Sequence, residues 1–252
     1  MNKADRFGRI LERLADDGSV TVAALAAELD ASEATVRRDL RALDDQRLLE
    51  RSHGGAVSPG TVYELGVRHR GGHARAEKQA IARAALDRVR DGDVVALTGG
   101  TTTTEVTRRL VQRDGLSVVT NALNIAAELA VRPDIKLIVT GGAARSESYE
   151  LVGPLAEATL AGMNLDLAVV GVDGITVAGG LTTHHDIEAH TNRVLIGRAR
   201  HVIVVADGSK VGRLAFARIC DVSSVHELIT DASAPAPELQ RLADAGIVIT
   251  TV

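Results

Sequence analysis

The spacing of apolar residues changes along the chain, and the change divides it. Over residues 4–15, Phe7, Ile10, Leu11 and Leu14 fall at i, i+3, i+4 and i+7, the spacing of an amphipathic helix. Asp16-Asp17-Gly18-Ser19 ends that pattern. Thr21 is placed to cap a short second helix, with Val22, Leu25 and Leu29 on its buried side. Asp30-Ala31 makes a tight turn, and Ser32 caps a third helix that runs to about Asp45. At 100° per residue, Val36, Leu40 and Leu43 lie within an arc of about 60°. Arg37, Arg38 and Arg41 lie together on the opposite side, and Asp39 points elsewhere. Residues 48–57 read as a short β-hairpin, or wing, whose small residues, Gly54 and Gly55 among them, let backbone approach phosphate.

Residues 58–76 have no clear period and contain Pro59, Gly60, Gly66, Gly71 and Gly72, so they read as a linker. Arg68, Arg70 and Arg75 make it basic. A solvated tether is the favoured reading, with extra phosphate contact as the alternative. A helix follows from about Arg75 to Val89, with Ile81, Ala84, Ala85 and Leu86 inward. From residue 93 the pattern becomes short apolar runs alternating with helical stretches. The runs are 93–98, 116–120, 135–140, 166–172, 201–206, 225–230 and 246–252; the helical stretches are 102–113, 122–131, 153–162, 186–199 and 235–244. Such alternation predicts an α/β fold with a mainly parallel sheet. The predicted organisation is a reader at 1–57, a linker at 58–76 and an α/β domain at 77–252.

Bulk properties narrow the function. At 252 residues the chain has ample length for buried cores, and 45% hydrophobic with 25% charged residues is ordinary for a globular protein. Aromatic content of 2% argues against stacking platforms for single-stranded nucleic acid. The single cysteine, Cys220, rules out an intrachain disulfide and a cysteine-rich zinc site, which fits a reducing cytoplasm. The N-terminus lacks an apolar signal core, and no apolar run approaches the ~20 residues of a membrane span. The net charge of −4 does not favour DNA, and residues 32–57 carry five Arg against five acids. Any case for DNA therefore rests on where the charges point.

The geometry supplies that case. Short helix, two-residue turn, capped basic helix and Gly-Gly hairpin together form a winged helix-turn-helix pattern. Ser32, Glu33 and Thr35 lie in the first turn of the third helix, the part that meets base edges in the major groove. Arg37, Arg38, Arg41 and Arg51 are placed to grip phosphate, and His53, Gly54 and Gly55 to bring the wing's backbone to it.

In the α/β domain, five strand ends carry glycine or polar signals, at the edge where such sheets bind ligands. The first is Thr98 followed by Gly99, Gly100, Thr101, Thr102 and Thr103. Close backbone, hydroxyls and a helix start read there as an anion cradle, although no nucleotide-loop Lys follows. The second is Thr120-Asn121, with Asn124 one turn on. The third is Gly141-Gly142, then Arg145, whose fork suits phosphate. The fourth holds Asp173, and the fifth Asp207-Gly208-Ser209-Lys210. Together they predict a small phosphorylated ligand.

EATVRRDLRALDDQRLLERSHGGAV closely resembles the helix-turn-helix signature of the DeoR family of bacterial transcription regulators. Arg37, Arg38, Asp39, Leu40, Leu43, Leu48, Arg51, His53, Gly54, Gly55 and Ala56 carry the match. Glu77-Lys78, the Gly-Thr-Thr loop, Thr120-Asn121, Gly141-Gly142, Gly153, Asp173, Glu188-Ala189 and Asp207-x-Ser209-Lys210 follow the family's order through its effector domain. The resemblance implies a C-terminal domain similar to ribose-5-phosphate isomerase-like folds that senses a sugar phosphate. It also implies double-stranded operator DNA as partner, repression of sugar or polyol genes, and a homodimer or homotetramer. One departure is clear: the family's first loop commonly reads Asp-Ser-Gly-Thr-Thr, and here Thr98-Gly99 replace Asp-Ser. That removes an acidic acceptor for sugar hydroxyls and leaves the effector's identity open, a non-phosphorylated polyol included.

Two other readings carry less weight. Asp173, Glu188 and Lys210 could serve an enediol isomerase mechanism, but fold analogy does not carry function and a DNA reader is attached. The lysine-bearing glycine segment of the related isomerases is replaced by Ala178-Gly179-Gly180-Leu181-Thr182-Thr183. His184, His185, Asp186 and His190 could bind zinc, but read better as a polar loop entering a helix that Asp186 caps. No catalytic residue, metal or cofactor is therefore expected.

Overall fold

The computed structural model describes residues 2–17, 19–46, 48–52, 54–57 and 74–252, without the side chains of 15–17, 19, 50, 52 and 57. The chain divides into two compact units, Met1–His73 and Ala74–Val252. His53 and residues 58–73 lie outside the described residues, and with them most of the expected linker.

In the first unit, α1 (Lys3–Asp17), α2 (Val22–Glu28) and α3 (Glu33–Asp45) surround a core of Ile10, Leu11, Leu14, Leu25, Val36, Leu40 and Leu43. Both predicted caps are present. Thr21 Oγ1 accepts from the Ala24 amide at 3.2 Å, and Ser32 Oγ from the Thr35 amide at 3.2 Å. Each cap satisfies one amide that the first helical turn leaves without a partner. The wing is β2 (Glu50–Ser52) and β3 (Gly55–Val57). A third strand that sequence reading missed, β1 (Ser19–Thr21), pairs with β3, giving the order β1-β3-β2. Gly55 is needed there because a Cβ would collide with the Val20 carbonyl.

In the second unit, α4 (Arg75–Leu86) precedes β4 (Val94–Leu97), α5 (Thr101–Leu110), β5 (Ser117–Thr120), α6 (Leu123–Leu129) and β6 (Lys136–Val139). Residues 75 and 76, where the expected linker and the expected helix overlap, are the start of α4. A small arm of β7 (Ala143–Ala144) and β8 (Leu151–Val152) leads to α7 (Pro154–Ala161) and β9 (Leu165–Val170). Then come β10 (Gly174–Thr176), β11 (Gly180–Thr183), α8 (Asp186–Ile196), β12 (Ala199–Val205), β13 (Ala217–Cys220), β14 (Glu227–Thr230), α9 (Ala236–Asp244) and β15 (Val248–Thr251). The seven predicted runs form one parallel sheet in the order β15-β14-β12-β9-β4-β5-β6. Alternation within strands splits the core. Val95, Leu97, Val118, Leu167 and Val169 face α4, α5 and α6. Ala96, Val119, Ala168 and Val170 face α7, α8 and α9. The antiparallel sheet β10-β11-β13, which none of the seven apolar runs predicts, packs on this second face. The α/β class is as predicted.

The strand order reverses between β4 and β9. From β4 the chain winds outward through β5 and β6, then crosses back to wind the other way from β9. At such a switch point the loops leaving two adjacent strands diverge and open a crevice at their carboxyl ends. Thr98–Gly100 and Gly171–Asp173 are those loops.

Candidate functional site

On the first unit, α3 presents the expected face. Val36, Leu40 and Leu43 are buried, while Arg37, Arg38 and Arg41 are exposed, as is Arg51 on the wing. Arg37 is tied to Glu33 one turn earlier at 2.7 Å. Ser32 and Thr35, expected at base edges, share a hydrogen bond of 2.9 Å between their hydroxyls. Asp39 does more than point away. It is 2% exposed and takes the Arg6 guanidinium through both oxygens, at 2.7 and 3.3 Å, joining α1 to α3. Gly54 occupies the wing's turn with φ 87°, a left-handed backbone that suits glycine.

On the second unit, residues from all five loops converge at the switch point. The carboxyl of Glu150, which sequence reading missed, forms its floor. Its Oε1 accepts from the Gly99 amide at 2.8 Å, and its Oε2 from the side-chain amides of Asn121 at 3.4 Å and Asn192 at 3.3 Å. Asn121 also donates to Asn192 Oδ1 at 3.1 Å. Arg145 meets Glu188 at 2.8 Å, and the Thr183 hydroxyl lies 3.4 Å from Glu188 and 3.1 Å from Asp173. Asp173 lies 3.9 Å from Lys210 and 3.8 Å from His184. Burial pushes the Glu150 carboxyl up to about 8, and the neighbouring carboxylates of Glu188 and Asp173 add to the rise against the hydrogen bonds from Gly99 and Asn192.

Several sequence assignments need correction. The first loop is not an open anion cradle, because Glu150 already occupies the Gly99 amide. The Thr103 and Thr104 hydroxyls donate back to the Gly100 carbonyl, at 2.9 and 2.7 Å, and so do not face a ligand. Thr102 is buried in α5, Thr101 is half-buried in its first turn, and Gly100 precedes α5 with φ 130°. Asn124 donates to Thr104 at 2.9 Å. Gly141 and Gly142 shape the turn into the arm: a Cβ on Gly142 would sit 2.7 Å from the Val152 carbonyl. Arg145 pairs with Glu188 and Glu147, the latter at 3.4 Å. Asp186 is the first residue of α8 and His185 its cap position, so Asp186 does not cap the helix.

Glu150 carried no sequence signal, since 143–150 has no period. Glu188 and Asn192 did carry one, as polar residues at i and i+4 on the buried face of α8. His184 pairs with Asp173 and His190 with Glu157; among the described residues no three His, Cys, Asp or Glu side chains are placed to hold a metal. An open apolar groove of about 640 Å³ also lies between the arm, α7 and α8, lined by Val152, Pro154, Leu155 and Ile187. Gly142 lines this groove. No described helix is long and apolar enough to cross a membrane.

A model of the DeoR-like helix-turn-helix domain matches residues 6–62, and a model of the DeoR C terminal sensor domain matches residues 73–232. The chain belongs to the DeoR family. The HTH-type transcriptional regulator GlpR of Haloferax volcanii is 36% identical, over 99% of this chain and 98% of that one. The glycerol-3-phosphate regulon repressor of Escherichia coli is 33% identical, over 97% of each chain. Among solved structures, ribose 5-phosphate isomerase A of Methanocaldococcus jannaschii matches 54% of this chain and 54% of its own, with 18% identity and a TM-score of 0.39. As a DeoR-family chain with a helix-turn-helix and a sensor domain, the protein is a DNA-binding transcription regulator, not an enzyme.

Proposed function

We propose that the protein is a repressor of sugar or polyol catabolism that leaves its operator when a phosphorylated sugar binds at the switch-point cluster. The observation that carries this reading is the meeting of Gly99, Asn121, Arg145, Asp173 and Lys210, from five strand-end loops, in the sensor unit of a DNA-binding chain. The relative named for a glycerol-3-phosphate regulon is consistent with it. Ser32 and Thr35 read base edges once the hydrogen bond between their hydroxyls is exchanged for DNA, and Glu33 does so once Arg37 leaves it. Arg38, Arg41 and Arg51 hold phosphate, and Arg37 joins them when it leaves Glu33. The protein works in the cytoplasm as a homodimer or homotetramer, so that two recognition helices reach half-sites about 34 Å apart.

Arg145 and Lys210 are held near carboxylates, so an incoming phosphate competes for them with Glu188 and Asp173. That exchange is a source of differential affinity, and only differential affinity can shift a conformational equilibrium. Moving it from mostly bound to mostly released needs on the order of 5 kcal/mol across the oligomer.

Gel shifts on fragments that the wild type selects from a random pool test both halves. Arg38→Ala should weaken DNA binding about tenfold or more, with an unchanged melting temperature. Lys210→Ala should bind DNA normally and be released poorly by sugar phosphates. Unchanged affinity in the first case, or normal release in the second, removes that residue from its role.

A further inference from the structure

The Glu150 carboxyl is held from both sides by backbone. Tyr149, before it, adopts φ 61°, and its amide and carbonyl are both used: the amide donates to Arg145 O at 2.8 Å and the carbonyl accepts from Leu123 N at 2.9 Å. Leu151, after it, donates to the Asn121 carbonyl at 2.6 Å. A loop this constrained aims its side chain, and the aim is at Gly99. A Cβ on residue 99 would lie 2.6 Å from Glu150 Cγ and Oε1, so the missing side chain of Gly99 is the space that Glu150 fills. Thr98 is fully buried and uses its hydroxyl to bind the Gly171 amide at 3.0 Å, stapling the two switch-point loops. The acid that the family pattern carries in this loop is thus absent from position 98, and a carboxyl reaches the loop from the arm.

The chemistry of this floor selects its ligand. The three neutral N–H donors at Gly99, Asn121 and Asn192 leave the Glu150 carboxyl with lone-pair capacity to spare. Beside it, Asn121 is fully buried and its Oδ1 has no hydrogen-bond partner among the described residues. Glu188 and Asp173 add two further acceptors. A phosphate brings negative charge towards Glu188 and Asp173, and the amide it would need at Gly99 is taken. A hydroxyl is neutral and both donates and accepts, so it suits the Glu150 carboxyl with or without its proton.

We propose that Glu150, with the side-chain carbonyl of Asn121, is the effector site's hydroxyl reader, a specificity-determining residue for the polyol part of the ligand rather than for its phosphate. This rests on the sensor reading above, and it orients the ligand: hydroxyls towards Glu150 and Asn121, phosphate towards Arg145 and Lys210. Gly99 is required by the same arrangement.

Titration calorimetry on the full chain tests it with ribose 5-phosphate, glycerol 3-phosphate, glucitol and inorganic phosphate as probes. Glu150→Ala should weaken the sugar or polyol phosphate that the wild type binds by about tenfold or more, and leave inorganic phosphate within about twofold. Gly99→Ala should show the same loss by displacing Glu150, and the double variant should be no weaker than either single one, because both remove one interaction. If the alanine variant does not fold, the near-isosteric Glu150→Gln carries the same comparison. Sugar phosphates bound equally by wild type and variant overturn the proposal alone, as does an equal loss of sugar phosphate and inorganic phosphate. If the wild type binds only glucitol and Glu150→Ala does not, the hydroxyl reader stands and the phosphorylated effector falls. Binding of no probe overturns both.

Discussion

A carboxyl that is 4% exposed and surrounded by N–H donors is pulled two ways, and at Glu150 burial wins. Its pKa rises from 4.5 to about 8, with Glu188 and Asp173 adding to the rise. The folded state therefore holds this proton more tightly than the unfolded chain does. Its contribution to stability is complete below about pH 4.5 and is lost as pH rises through about 8. The loss is on the order of 5 kcal/mol for a shift of this size. Glu227 and Asp231 shift the other way: burial raises both, but hydrogen bonds from Arg88 to the first and from Ser233 to the second outweigh it. Their contributions fade only on acidification. The Cys220 thiol is pushed up by burial from 9.0, so it titrates beyond the window. Between pH 6 and 8.5 the melting temperature of the wild type should fall steadily, and that of Glu150→Gln should stay flatter. Parallel curves for the two proteins would show that Glu150 does not govern this range.

At the scale of elements, one ion pair sets how α3 is carried. The Arg6–Asp39 pair bridges α1 and α3 beneath the face that bears Arg38 and Arg41. Its two ends are not equivalent: the Asp39 side chain is 3% exposed and that of Arg6 16%. Removing Arg6 leaves a buried carboxylate unpaired, whereas removing Asp39 leaves a guanidinium that can turn to water. Arg6→Ala should therefore lower the melting temperature of the DNA-binding unit more than Asp39→Asn does, as read by circular dichroism; the reverse order would contradict this packing. The helices themselves were legible from spacing and caps, because apolar residues at i, i+3 and i+4 and Ser or Thr at an N-cap act locally. The strands β1, β7, β8, β10, β11 and β13 were not. They are two to four residues long, and only their partners make them strands.

At the scale of the whole molecule, the field is weak: the net charge is −4, and among the described residues Arg37, Arg38, Arg41 and Arg51 are the exposed arginines of α3 and the wing. On the proposed reading, Arg38, Arg41 and Arg51 of two copies neutralise about six phosphates while Arg37 stays on Glu33, and the slope of log affinity against log salt should be about −5. Arg38→Ala should make it shallower by about 2, one charge per copy. A slope unchanged by that substitution would place Arg38 away from the DNA backbone. The sequence alone determined the two-part organisation, the helix-turn-helix with its arginine face, the parallel α/β class and the strand-end loops, since periodicity, caps and turn residues are encoded within a few positions. Tertiary structure decided what those loops do. Asn121, Glu150 and Asn192 are separated by 29 and 42 residues, and nothing local tells a buried carboxyl which backbone amide it will meet. The winding order of the sheet brings β4 beside β9, the arm lays Glu150 over Gly99, and a loop that reads along the chain as an anion cradle becomes a floor of acceptors.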